Sequence, residues 1–162
     1  MADPAAHVFA CRTQWTARPG EKTTDLAAYS RRHAVTAGTK PPLIMSAAPA
    51  YQGDPALHNP EELLVMALSS CQMLTYLALA GRAGVNVLEY TDDASGRLEI
   101  SPGPGGRRVM RMTQVTLRPR IRVEAGTQPE RALALVEKAH AGCFIANSVS
   151  CEVTSVPEVI VG

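Results

Sequence analysis

With 162 residues, a formal net charge of +1 and only 4% aromatic residues, the chain is sized for one domain (1–162) with a real core. It offers neither the cationic surface nor the stacking rings that would suit nucleic acid or an anionic membrane. The longest apolar run falls short of a membrane span of about 18 residues, and the opening MADPAAHVF has no secretory pattern. The expectation is a cytoplasmic protein, in a reducing compartment where its four cysteines are thiols or redox groups before they are structural disulfides.

Residues 7–17 (HVFACRTQWTA) alternate and carry Val, Phe, Thr and Trp, which predicts a strand. After a turn at Arg18-Pro19-Gly20, residues 26–37 (LAAYSRRHAVTA) predict a second strand, with Tyr29, Arg31, His33 and Val35 on one face. Residues 43–46 form a short third strand. Residues 47–58 (AAPAYQGDPALH) are irregular, and a loop of that length in a compact domain is often functional.

Residues 59–84 (NPEELLVMALSSCQMLTYLALAGRAG) then predict one long helix. Asn59 suits the N-cap, Pro60 the first helical position, Glu61 and Glu62 the positive end of the helix dipole, and Gly81 and Gly84 the stop. Few positions between are polar, so this helix is expected to be buried on all sides, with the Cys71 sulfur as its reactive atom.

Residues 85–100 predict a strand with a weak middle at 92–96, and SPGPGG at 101–106 a turn. Residues 107–124 alternate strongly and return as the second arm of a long hairpin, with Pro119 marking an edge or a bulge. An amphipathic helix starts near Thr127 and ends near Gly142; Cys143 follows at once, and residues 149–156 make a final strand. The order β-β-β-α-β-β-α-β implies an antiparallel-rich α+β fold rather than a doubly wound sheet.

A thiol acts as a nucleophile only as thiolate. Cys71 lies three turns into its helix, beyond much help from the dipole, so a side-chain cation is expected, and Arg31, Arg32 and His33 are on offer. Cys143 sits at a corner after a helix. One thiol on a rigid helix and one at a pliable bend suit a pair in which the first is oxidised and the second condenses with it. No CxxC is present and His7, His33, His58 and His140 are scattered, so no zinc site is expected. Cys11 and Cys151 read as strand residues, His33 as a strand-face residue, His58 as a loop residue and His140 as a charge at a helix C-terminus. The arginines at 107, 108, 111, 118, 120 and 122 read as a solvated face.

NPEELL leading a helix with SSC on it, and AHAGCFIANS after the last helix, resemble the OsmC/Ohr family of thiol-dependent hydroperoxide reductases over essentially the whole chain. The resemblance implies an intertwined homodimer with two sites at the subunit interface. It implies Cys71 as peroxidatic thiol, Cys143 as resolving thiol, Glu61 as the helix-start glutamate and an arginine from the second strand, Arg31 in preference to Arg32. The implied reaction reduces an organic hydroperoxide to its alcohol through a Cys71 sulfenic acid and a Cys71–Cys143 disulfide. It needs no bound cofactor and takes electrons from an external dithiol or lipoyl-type reductant. Many relatives with this pattern carry His after the first Cys; here it is Gln72.

Helix geometry adds a constraint. Ten residues separate Glu61 from Cys71, about 15 Å along a straight helix, so Glu61 cannot touch the sulfur of its own chain. The expectation is that Arg31 and Glu61 of one subunit serve Cys71 of the other. Met45, Tyr51, Leu64, Leu68, Phe144 and Ile145 are candidates for an apolar substrate pocket or for plain core. The competing functions are a non-catalytic small-ligand binder of the same fold and a thiol redox sensor.

Overall fold

The protein, as a computed structural model, is described over residues 6–162. It forms two compact units, one ending at Pro60 and one running from Glu61 to Gly162.

The first unit is built on β1 (Arg12–Gln14), β2 (His33–Thr36) and β3 (Leu43–Met45), an antiparallel sheet with β2 in the middle. Arg12 faces Thr36 and His33 faces Met45. Both opening strands are shorter than their sequence pattern predicts. Between residues 18 and 31, side chains take the backbone groups that a ladder would have used. The Glu21 carboxylate accepts the Arg18 and Ser30 N–H groups at 2.8 and 3.1 Å, and the Arg31 guanidinium donates to the carbonyls of Leu26 and Tyr29.

The irregular stretch after β3 is tightly organised. The Ser46 N–H donates to the His58 carbonyl at 2.9 Å, and the Ser46 hydroxyl accepts the Asp54 N–H at 3.0 Å. A single 3-10 turn at Pro49–Tyr51 leads to Gln52 in the left-handed region, at φ 63°. Gly53 is obligatory, because a Cβ there would lie 1.6 Å from the Ala47 carbonyl oxygen.

The second unit contains α1 (Pro60–Arg82), β4 (Val87–Asp92), β5 (Ser95–Pro102), β6 (Arg108–Leu117), β7 (Pro119–Val123), α2 (Pro129–Ala141), β8 (Glu152–Ser155) and β9 (Glu158–Val161). The fold is α+β and antiparallel-rich, as expected; β4 pairs with β7 and β5 with β6 in antiparallel fashion, while β8 and β9 add in parallel to β6 and β7. Each predicted long strand is two strands here. The weak middle at 92–96 and Pro119 mark one shared break, with Asp92 opposite Pro119.

Side chains stitch that break. Asp92 accepts the Arg118 N–H at 2.6 Å and the Ser69 hydroxyl of α1 at 2.6 Å. Arg118 in turn donates to the Asp93 carbonyl and the Ser95 hydroxyl. The break recurs in the last arm, where the Val156 N–H donates to the Leu117 carbonyl between β8 and β9. Of the hairpin arginines, Arg118, Arg120 (to Glu158) and Arg122 (to Glu89) are paired rather than merely solvated.

α1 buries one stripe, not every face. Leu68, Gln72, Tyr76 and Ala80 recur every four residues along the line that meets the core. Leu68 packs with Val115 and Leu117 of β6, with Leu64, Ile145 and Cys151 beside them. Tyr76 and Ala80 pack with Ile121, Val123 and the inner face of α2, made by Ala132, Leu135, Val136 and Ala139. Met66, Leu74 and Leu77 remain exposed, Leu74 to 59%. The expectation of a helix buried all round is therefore corrected for the single chain: one sheet and one helix can cover only one side of a rod this apolar.

Leu68 is fully buried in the smaller cluster. Leu68→Ala is expected to cost about 2–5 kcal/mol, as loss of a core leucine plus its cavity does, read as a lowered midpoint in guanidinium unfolding.

Candidate active site

Cys71 lies one turn beyond Leu68 on the flank of the buried stripe and is half-buried. α2 ends near it. Gly142 closes that helix with its N–H on the Lys138 carbonyl at 2.9 Å, and a Cβ on Gly142 would lie 3.6 Å from the Thr75 methyl and 3.3 Å from the Lys138 oxygen. The end of α2 therefore lies against α1 at Thr75, one turn beyond Cys71, at ordinary packing distance.

Cys143 comes next and is 1% exposed. The chain then winds into a tight turn. The Ala146 N–H points to the Cys143 sulfur at 3.5 Å, the Asn147 side chain donates to the Ala141 carbonyl at 2.9 Å, and the Ser148 hydroxyl donates to the Phe144 carbonyl at 2.7 Å. These bonds hold successive backbone N–H groups toward the two sulfurs, a concave arrangement of donors that favours an anion.

The sulfurs respond in opposite directions. Burial pushes the Cys71 thiol up, but the Ile145 N–H, the Cys143 thiol, the Phe144 N–H and the Thr75 hydroxyl all favour its thiolate, and the net effect is a lowered pKa. Burial also pushes the Cys143 thiol up; the Ala146 and Ile145 amides oppose this, but the donated hydrogen bond to Cys71 and the Cys71 charge reinforce it, and its pKa is raised. Of the pair, Cys71 is the thiol that ionises more readily and Cys143 the one that holds its proton more strongly. No disulfide joins the cysteines, and Thr75 has one hydroxyl proton, here donated to the Cys71 carbonyl at 2.8 Å rather than to the sulfur.

Behind the sulfurs lies a buried polar cluster. Gln72 is 1% exposed; its Nε2 donates to the Ser155 hydroxyl at 2.9 Å and its Oε1 lies 3.3 Å from His140 Nδ1. That contact makes His140 more than a charge at a helix end. The Tyr76 and Tyr90 rings meet tilted at 48°, 5.8 Å between centroids, and neither buried hydroxyl has a hydrogen-bond partner among the described residues. Tyr90 is driven far above an ordinary phenol by burial first and by Asp92 second.

The remaining predicted residues fall as follows. Glu61 opens α1, and since the helix runs unbroken to Arg82 it stands about 15 Å from Cys71 along the axis. Its Oε2 is buried and has no hydrogen-bond partner among the described residues. Arg31 belongs to the first unit, where it also donates to the Gln52 Oε1 at 2.7 Å and lies 3.9 Å over the Tyr29 ring. Arg32, the alternative, is exposed. Leu64, Leu68 and Ile145 are core, Phe144 is 80% exposed, and Cys11 is exposed. Sequence reasoning missed the Phe144 and Ile145 amides, Thr75 and the Gln72–His140 contact. Only Thr75, one turn beyond Cys71, left a signal in the spacing.

A family model described as OsmC-like protein matches residues 53–156. The chain belongs to the OsmC-like family. Among solved structures, an OsmC-like protein of unknown function from Vibrio cholerae is 33% identical, with a TM-score of 0.83, over 96% of this chain and 100% of that one. An organic hydroperoxide resistance protein OsmC from Legionella pneumophila shares the fold at 19% identity and a TM-score of 0.68, over 96% and 98% of the two chains. An organic hydroperoxide resistance protein from Elizabethkingia anophelis does so at 20% and 0.66, over 99% and 100%. No curated protein matches the sequence.

In this OsmC-like chain the thiolate-forming groups lie within one unit, so its two thiols should titrate apart. Iodoacetamide labelling followed by peptide mass spectrometry across pH is expected to give a midpoint for Cys71 below the ordinary thiol value of 9.0 and one for Cys143 above it. Thiolate forms as pH rises, so Cys71 labels first. Cys143→Ala removes a donor and should move the Cys71 midpoint upward.

Proposed function

We propose that this protein is a cysteine-based peroxidase that reduces organic hydroperoxides to alcohols. What carries the proposal is a half-buried Cys71 on α1 beside a buried Cys143 whose turn aims amide donors at the sulfurs, with the Cys71 pKa shifted down and the Cys143 pKa up. The organic hydroperoxide resistance proteins that share its fold support the substrate class.

The Cys71 thiolate attacks the distal oxygen of ROOH, the O–O bond breaks, and a proton is taken up to release ROH, leaving Cys71 as sulfenic acid. The Cys143 thiol then attacks that sulfur; its proton leaves with the hydroxyl as water and the Cys71–Cys143 bond forms. The order is self-timed. While Cys71 is anionic, its charge and its hydrogen bond keep Cys143 protonated; oxidation to the neutral sulfenic acid removes both restraints and frees Cys143 to attack. An external dithiol or lipoyl-type reductant restores both thiols and is itself oxidised to a disulfide. No bound cofactor takes part, and such a cycle suits the reducing cytoplasm.

The guanidinium that polarises the peroxide is Arg31, and Glu61 orients it, both from the other subunit of a homodimer. Three features support this. Glu61 is too far along α1 to serve its own Cys71, its buried Oε2 lacks a donor, and α1 presents Met66, Leu74 and Leu77 outward. An apolar face of this kind beside a polar group with unmet demand fits an isologous contact.

One equivalent of cumene hydroperoxide is expected to give a Cys71–Cys143 disulfide by mass spectrometry, with steady turnover in a dithiol. Cys71→Ser should reduce consumption to the buffer rate, and retained activity would remove the mechanism. A disulfide without turnover would instead make the protein a redox sensor, and no oxidation would leave a ligand binder.

Arg31→Gln is expected to lower kcat/KM by about 10²–10³, the usual loss for one donor to developing oxyanion charge. Mixing Cys71→Ser and Arg31→Gln chains tests the exchange between subunits. Half the random dimers are mixed and each holds one complete site, so about a quarter of wild-type activity should return. No recovery would place the arginine and the thiol in one chain.

A further inference from the structure

The first unit holds three arginines whose backbone positions are tied together. The Glu21 carboxylate spends one oxygen on the Arg18 N–H and the other on the Ser30 N–H, which draws the segments carrying Arg18 and Arg31-Arg32 alongside each other. Trp15 fixes the same segment by donating its indole N–H to the Ser30 carbonyl at 2.7 Å, and it meets the Tyr29 ring edge-on at 6.0 Å. Arg31 lies over the other ring contact of Tyr29 and is held by carbonyls and Gln52, none of which cancels its charge.

A cleft of about 300 Å³ opens here, lined by Arg18, Ser30, Arg31, Arg32, Gln52 and Asp54 among others. A second of about 450 Å³ shares Arg18, Ser30 and Arg32 and adds His33. The two therefore form one groove along the shared residues. His33 directs Nδ1 at the Arg31 carbonyl, 2.8 Å away, so Nε2 is the ring nitrogen not used in that contact.

Charge and commitment decide what the groove can hold. Three guanidiniums face two carboxylates, Glu21 and Asp54, an excess of one positive charge. Glu21 is taken up by amide donors and meets Arg18 Nε only at 3.9 Å, while the Arg18 side chain stays 63% exposed. Asp54 turns Oδ1 to the Ala56 N–H at 2.9 Å. The Arg32 guanidinium has no partner among the described residues. Guanidiniums on a fixed backbone match oxyanions, since their fork geometry fits carboxylate and phosphate alike. Ala34 and Ile44 add an apolar side at the His33 end, so the polar end shared by Arg18, Ser30 and Arg32 is the part suited to an anion.

We propose that the groove between Arg18 and Arg32 is a binding site for an oxyanion, the phosphate or carboxylate group of a hydrophilic molecule. The groove shares Arg31 with the proposed peroxide site, but Arg18 and Arg32 have no part in that chemistry, and the test of anion binding needs no peroxide.

The intact reduced protein, titrated at low ionic strength with inorganic phosphate and, separately, with acetate, is followed by ¹H–¹⁵N NMR of the Ser30 amide and the arginine Nε–H groups. Saturable shifts are expected with at least one anion, and the preferred anion names the class. Arg18→Gln and Arg32→Gln should each weaken binding by about tenfold, the loss of one charge-assisted hydrogen bond. Arg97→Gln, on the other unit, should leave it unchanged. The same spectra report whether each variant is folded, and Arg32→Gln alone decides the matter if Arg18→Gln unfolds. Shifts that stay linear with concentration for both anions, or folded groove variants that bind as the wild type does, overturn the proposal.

Discussion

Two neighbouring thiols that shift each other's ionisation in opposite directions organise the second unit. For the Cys143 thiol to reach Cys71, α2 must end against α1, and the chain must then coil so that its amides face inward. The same turn that carries the donor thiol also carries the backbone dipoles that favour the thiolate. The downward shift at Cys71 therefore arises, against the cost of burial, from main-chain amides together with the Cys143 and Thr75 side chains, before any side-chain cation is added. An arginine from elsewhere would refine that environment and act on the substrate; it is not the sole reason the sulfur ionises.

The rest of the unit is scaffolding for this approach. α1 stays in place because a stripe of four residues is sunk into two clusters, one on β6 and one shared by β7 and α2. The hairpin that supports it is interrupted at Asp92 and Pro119, and Asp92 ties the interruption to α1 through Ser69. A straight pair of long strands would meet the helix along one line; a bent pair can follow it. Gln72 lies on the buried stripe where an apolar residue would be expected, and it is tolerated because its amide is matched by Ser155 and His140.

The long helix, its cysteine and the corner cysteine after α2 were legible because caps, glycines and periodicity are local signals. The α+β class followed from the order of elements. The strand breaks were only half legible: Pro119 and the 92–96 stretch announced weakness, but what turns weakness into a bend is a set of bonds from Asp92 to residues 69 and 118, and such partners cannot be read from one chain position. The strands around residues 7–17 and 26–37 were overextended because Glu21 and Arg31 claim backbone groups in competition with the ladder. The donors to Cys71 were invisible for a different reason. A backbone N–H has no letter, so Phe144 and Ile145 gave no hint of their role, whereas Arg31 and Glu61 stood out by chemistry and family pattern alone.

The buried Oε2 of Glu61 carries a thermodynamic consequence. A polar atom cut off from water without a donor costs about 1–3 kcal/mol, a large share of what holds a small domain together. A donor drawn onto it as two copies associate would lift that cost only in the assembled form. Folding and association would then be linked by mass action, and the melting temperature of this protein would climb with its own concentration.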